Sequence, residues 1–187
     1  MIWKRIFGRP ARNDVPMALY AAAVRQARSP AFYLEGGVPD TVEGRFEMVS
    51  LHACLVLRRL RDGGPEGKET GQKVFDILFD DMDQTLREMG VGDLSVGKKI
   101  KALASSFYGR LQAYDEGFKD SEGDTLAAAI LRNVFAGDEN SARHAAALAS
   151  YMRRVDEALR AQDIANVLAG RIEFGAPFEA TETSETR

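Results

Sequence analysis

Apolar residues recur at helical spacing in six separate stretches of the chain, and no stretch of convincing length alternates with the period of two expected of a half-buried strand. In the first stretch, residues 16–28, Met17, Leu19, Tyr20, Val24 and three alanines predict a short helix. Ser29-Pro30 ends it, because the residue before a proline avoids the α region. Residues 32–40 hold two aromatics, a Gly-Gly pair and Pro39-Asp40, which predict a connector. Asp40 then reads as the N-cap of the next helix, with Glu43 completing a capping box. Val42, Phe46, Val49, Ala53, Val56 and Leu60 follow at steps of four and three, while Met48, Leu51, Leu55 and Leu57 spread the apolar surface beyond one stripe. A helix apolar on most sides belongs at the centre of a fold. Arg58, Arg59 and Arg61 complement the negative end of its dipole.

Gly63-Gly64-Pro65-Glu66-Gly67 predicts a loop. Beyond it, Val74, Phe75, Leu78, Phe79, Met82, Leu86 and Met89 share a helix face that stops at Gly90. The short link 91–95 predicts that the following helix packs antiparallel to this one. That helix has the cleanest stripe in the chain: Val96, Ile100, Leu103, Phe107, Leu111, Tyr114 and Phe118. Gly97 and Gly109 interrupt it at about 1 kcal/mol each relative to alanine, and a close helix–helix approach would explain Gly109. Asp124 caps a shorter helix carrying Leu126, Ile130, Leu131, Val134 and Phe135. Asn140 caps a long last helix over residues 141–169, which Gly170 terminates. The pattern predicts an all-α, single-domain bundle of about six helices. The expected division is an N-terminal arm at residues 1–14, the helical domain at 15–170 and a tail at 171–187, whose polar end from Thr181 onward is expected to be mobile.

Composition narrows the function classes. With 25 basic and 28 acidic residues the net charge is −3, which gives no bulk attraction to nucleic acid, so direct DNA binding is not expected. No apolar run reaches the roughly 18 residues of a membrane-spanning helix. Residues 1–9 carry charges where a signal peptide needs its apolar stretch, so the chain is expected to stay in the cytoplasm. The single cysteine, Cys54, allows no internal disulfide and reads as a small buried hydrophobe.

The residues offer little chemistry. His52 and His144 stand far apart outside any metal-binding spacing, and His52 reads as a satisfied helical histidine. Asp76, Asp80 and Asp83 share one helix face, yet a lone face cannot supply the six or more oxygens calcium prefers, so a solvated acidic face is the better reading. No nucleophile motif or phosphate loop is present. We therefore expect no catalytic residue, no metal and no cofactor. Two basic segments remain. Lys98, Lys99 and Lys101 open the stripe helix at the positive end of its dipole, which implies compensation by Asp93 or an acidic partner. In the arm, Trp3, Lys4, Arg5, Phe7 and Arg9 mix cations with aromatics, as suits peripheral contact with an anionic membrane; packing of Trp3 and Phe7 on the core is the alternative.

One resemblance gathers these features. Phe32-Tyr33, Gly37-Val38-Pro39-Asp40-Thr41, Gly44-Arg45-Phe46-Glu47, Leu51-His52 and Arg59-Leu60 occur in an order similar to the ubiquinol–cytochrome c chaperone family. Phe75-Asp76, Phe79-Asp80-Asp81-Met82-Asp83, the run 86–93, Lys98-Lys99-Ile100-Lys101 and Phe107-Tyr108 continue it. The N-terminus fits the shorter bacterial form of the family, without a mitochondrial targeting sequence. The resemblance implies a non-catalytic assembly chaperone. It would hold newly made cytochrome b, or another subunit of ubiquinol–cytochrome c reductase, at the inner membrane, and the ribosome association of mitochondrial members is a further partner the resemblance implies. Within the resembling stretch, Tyr33, Arg45, Arg58, Arg59, Lys98, Lys99, Lys101 and Tyr108 are the expected client-binding residues, bordering one surface with an apolar floor. A helical haem or quinone carrier, an enzyme with a core pocket, and a dimeric scaffold are the competing expectations.

Overall fold

The computed structural model describes residues 15–120 and 124–178. These form α1 (Val15–Ala27), α2 (Pro30–Leu34), α3 (Val42–Leu60), α4 (Gly64–Glu88), α5 (Asp93–Lys119), α6 (Asp124–Val134), α7 (Ala142–Ala161) and α8 (Ile164–Leu168), with 3-10 turns at Arg61–Gly63 and Glu139–Ser141. No strand occurs among the described residues. Six helices of three turns or more thus carry the fold, as the periodicity predicts, and two five-residue helices join them.

The apolar girth of α3 decides the arrangement. Met48, Leu51, Leu55, Val56 and Leu60 are all essentially inaccessible. A helix with apolar residues on every side loses exposed area only if other elements surround it. Here α1, α4, α5, α6, α7 and α8 all touch α3. Full burial of each large side chain contributes about 1.5–3 kcal/mol.

The start of α3 differs by one residue from the predicted cap. Thr41, extended at φ −117° and ψ 170°, is the N-cap, and its Oγ1 accepts the Gly44 N–H at 3.1 Å. Asp40 lies one residue too early and pairs instead with Arg45. The predicted loop at 63–67 is largely helix, because Pro65 sits in the first turn, where its missing N–H costs nothing. Gly67 lets that turn fold back on α3: a Cβ there would overlap the Leu60 carbonyl oxygen. The antiparallel packing of α4 and α5 is as predicted, with Phe75 against Phe107 and Tyr108 at ring distances of 5.7 and 5.1 Å.

The predicted close approach at Gly109 does not occur, since its Cβ position faces open space. Gly117 has that role: a Cβ there would sit 2.7 Å from the Cα of Leu126 on α6. Asp124 is the first residue of α6, and Asp120 accepts its Thr125 N–H at 2.9 Å. The last helix is two. Gln162 turns extended, Asp163 caps α8 by accepting the Ala165 N–H, and the Gln162 side chain is held by both backbone groups of Glu173. Ser141, not Asn140, is the residue before α7.

Part of the expected tail belongs to the core. Residues 171–178 form an extended strap that buries Ile172 and Phe174. Phe174 meets the His52 ring at 5.4 Å, and Phe178 meets Phe32 at 5.8 Å. Residues 179–187 lie outside the described residues.

His52 is fully buried under this strap. Nδ1 lies 2.7 Å from the Met48 carbonyl, which only accepts, so Nδ1 carries the proton. Nε2 therefore accepts from the Tyr151 hydroxyl at 2.8 Å, and Gln26 donates to both Tyr151 Oη and the Gly175 carbonyl. Burial pushes the imidazole down to about 4, against the opposing effect of the Met48 bond. The unfolded chain, with the ordinary value near 6.5, takes up this proton first, so stability is lost as pH falls from about 6.5 towards 4, by up to about 3 kcal/mol. Thermal melts over that window should show the loss, and His52→Gln should flatten it; an unchanged slope would assign it to carboxylates. A second expectation concerns the cap. Thr41→Ala should lower stability by ~0.5–2 kcal/mol while Asp40→Ala leaves the melting temperature nearly unchanged, and denaturant unfolding of the two variants decides between them.

Candidate functional site

The first turn of α3 and the end of α2 expose what the rest of α3 buries. Leu34 is 82% and Val42 55% exposed, both large for apolar side chains. Between them, the Arg45 guanidinium lies 5.5 Å from the Tyr33 ring centroid and its Nε contacts Asp40 Oδ1 at 2.6 Å. Tyr33 donates its hydroxyl to the Ala27 carbonyl at 2.8 Å, which fixes the ring on the end of α1; burial raises its pKa. The Asp40 bond raises that of Arg45. One turn along, Arg110 of α5 reaches Glu47 with two nitrogens and stands 5.8 Å from the Phe46 ring. Burial lifts the Glu47 carboxyl above its ordinary value despite this partner, and Arg110 is raised in spite of its own burial because Glu47 holds it. Beneath the face, Tyr20 donates to Asp81 at 2.7 Å and ties α1 to α4. Two guanidinium groups are thus held over two aromatic rings on a rigid helix start, each worth about 0.5–1 kcal/mol at an exposed site.

The other expected client-binding residues are distributed differently. Arg58 pairs with Asp115 and Asp156, both at 2.8 Å, and covers the Phe118 ring at 4.4 Å. Arg59 is 7% exposed; it contacts Asp62 at 2.9 Å and donates to the Gln162 carbonyl at 2.7 Å. Both arginines join α3 to its neighbours and present no free charge to a partner. Tyr108 is 54% exposed and lines a cleft with Leu57, Arg61 and Phe75, near the end of α3 away from Arg45. Lys98, Lys99 and Lys101 are exposed. Asp93 pairs with Arg87, so it is not their counter-charge, and among the described residues no carboxylate lies within 4 Å of the three ammonium groups. The structure therefore brings Tyr33 and Arg45 together, sets Tyr108 apart and places Arg58 and Arg59 inside. Trp3, Lys4, Arg5, Phe7 and Arg9 lie outside the described residues.

Sequence reasoning missed Leu34, as part of a connector, and Arg110, as an ordinary polar position of the stripe helix. It placed Val42 and Phe46 on the buried face, although residues in a first turn project past the elements that cover the middle of a helix. No group of three or more potential metal ligands occurs among the described residues. Asp76 accepts from Gln72, and Asp83 from Arg87. Two open cavities, of about 250 and 190 Å³, fall below the ~300 Å³ at which ligand pockets begin; Tyr33 and His52 line neither, and Tyr108 lines the smaller. No described helix is long and apolar enough to cross a membrane.

Comparison with known proteins places this arrangement. Over 138 residues, 74% of this chain, it is 29% identical to the human ubiquinol-cytochrome c reductase complex assembly factor 1, and the match covers 46% of that protein. It is 33% identical over 112 residues to the mitochondrial protein CBP3 of Saccharomyces cerevisiae, covering 58% of this chain and 33% of the yeast protein. The chain thus spans about half or less of the length of these two relatives. The crystal structure of the Cbp3 homolog from Brucella abortus matches with a TM-score of 0.81 at 36% identity, over 89% of this chain and 91% of that one. The ubiquinol-cytochrome C chaperone profile matches residues 34–174, from the exposed Leu34 to the strap residue Phe174. With three-quarters of its length matched and the fold shared, the chain belongs to the ubiquinol–cytochrome c chaperone family.

Proposed function

We propose that this protein is a non-catalytic assembly chaperone of ubiquinol–cytochrome c reductase, and that it receives newly made cytochrome b, or another subunit, on the face at the start of α3. The observation that carries the reading is the exposure of Leu34 and Val42 on the face where Arg45 is held over Tyr33, with Leu34, Val42 and Arg45 inside the region matched by the family. Aromatic and arginine side chains dominate binding hot spots. A membrane-protein subunit presents apolar helices with charged flanks, and an apolar patch edged by Arg45 and Arg110 complements both. Lys98, Lys99 and Lys101, near the exposed Leu94 and Met89 of the α4–α5 turn, offer a second cationic and apolar surface. The basic and aromatic arm, with Trp3 and Phe7, supports peripheral contact at the cytoplasmic side of the inner membrane. Ribosome association is carried by the family resemblance alone.

The face is tested by a Leu34→Ser, Val42→Ser, Arg45→Ala variant. All three side chains are exposed, so the melting temperature should stay within a degree or two of wild type, while recovery of cytochrome b with the purified protein should fall several-fold. Full recovery with a stable variant rejects this face. Arg59 is left intact, because its loss would leave buried groups unpaired.

A further inference from the structure

At the opposite end of α3 from that face, a cleft of about 190 Å³ opens between the last turns of α3, the first half of α4 and the middle of α5. Leu57, Phe75 and Leu111 make its floor, and the half-exposed Tyr108 ring stands against Phe75. Such a volume suits one large side chain better than a cofactor.

Gly71 shows that the space is not a by-product of internal packing. A Cβ built on Gly71 would meet Leu57 Cδ2 at 3.4 Å and Leu60 Cδ1 at 3.9 Å, both ordinary contacts. Gly67, one turn earlier, is different, since a Cβ there overlaps backbone. The fold therefore accepts alanine at 71, and in a helix interior only proline is a poorer former than glycine. A glycine here keeps the cleft open at a cost the intramolecular contacts do not explain.

Charge at the mouth indicates what enters. Lys68 is exposed and has no carboxylate within 4 Å among the described residues. Arg61 is 45% exposed and contacts Asp115 at 2.5 Å, but Asp115 is shared with Arg58. Arg58 has Asp156 as a second partner, so Asp115 is shared rather than exhausted, and the excess positive charge at the rim is that of Lys68.

We propose that this cleft is a second docking site, which takes one large apolar side chain from a protein segment bearing carboxylates within a turn of that anchor. The apolar floor recognises the anchor, Tyr108 covers it, and Lys68 and Arg61 receive the carboxylates. The site is independent of the face at the start of α3 and does not require that the partner be a reductase subunit.

The probe is an alanine-based helical peptide with a central phenylalanine and glutamates three and four residues to either side, titrated into the isotope-labelled full chain and followed by amide shifts. Saturable shifts should centre on Lys68, Gly71 and Tyr108. Affinity should fall about ten-fold or more when the peptide phenylalanine becomes alanine, when its glutamates become lysines, and in Gly71→Leu or Lys68→Glu protein. Gly71→Leu fills the cleft with a better helix former and should melt no lower than wild type; if it does not fold, Tyr108→Ala and Lys68→Glu carry the comparison. Equal binding of the lysine peptide, no saturable shift at the cleft, or shifts at the cleft that grow with protein concentration in the absence of peptide would each overturn the proposal, the last by assigning the cleft to a second copy of the chain.

Discussion

A helix buried on nearly every side must bring its polar groups inside with it, and each then needs a partner from another element. Four charged or imidazole groups on α3 find such partners, whereas the small Ser50 hydroxyl, also buried, has none within hydrogen-bond distance. Glu47 takes Arg110 of α5, His52 takes Tyr151 of α7, and Arg58 takes Asp115 of α5 and Asp156 of α7. Arg59 takes the Gln162 carbonyl between α7 and α8. An unpaired buried charge is far costlier than a lost apolar contact, so any arrangement that keeps the apolar burial but loses one of these partners is strongly disfavoured. Apolar girth determines that α3 is surrounded, whereas the polar set determines by which neighbours and in what register.

The break between α7 and α8 follows from the same requirement. A continuous helix through residue 169 would engage the Gln162 carbonyl in an intrahelical bond, and Arg59 would lose its acceptor. With the chain extended at Gln162, that carbonyl turns to Arg59 while its side chain grips Glu173 and starts the strap. The strap then covers His52, whose depressed pKa reflects its burial.

What could be read from the chain divides along this line. Period and breaker residues revealed α3, the α4–α5 hairpin and the all-helical class, because those depend on local spacing of apolar positions. The one-residue shift from Asp40 to Thr41 was not legible, since both residues can cap and only the tertiary position of the first turn chooses between them. The break at Gln162 was equally hidden: the carbonyl before the Asp163 cap is held by Arg59, which is far away in sequence. For the candidate site, family-like blocks pointed to Tyr33 and Arg45, but basic character alone did not separate them from Arg58 and Arg59. An arginine on an apolar helix reads the same whether its charge is displayed or buried, and the difference lies in carboxylates on α5 and α7 that no local pattern connects to it.

Fixing α3 in this way has a consequence for binding. The middle of the helix is enclosed, so only its ends can meet a partner, and both ends are held by the interactions that stabilise the core. Arg110, bound to Glu47, positions the first turn, and Asp115, bound to Arg58, positions Arg61 beside the cleft. Side chains ordered before association lose less freedom when a partner arrives, so exposed apolar groups on such ends bind more tightly per unit of buried area than the same groups on mobile loops. A chaperone that must hold apolar helices before they are assembled needs apolar surface that does not collapse on itself. A rigid central helix with displayed ends satisfies that need, because Leu34, Val42 and Tyr108 stand exposed on a frame whose own core side chains are fully buried.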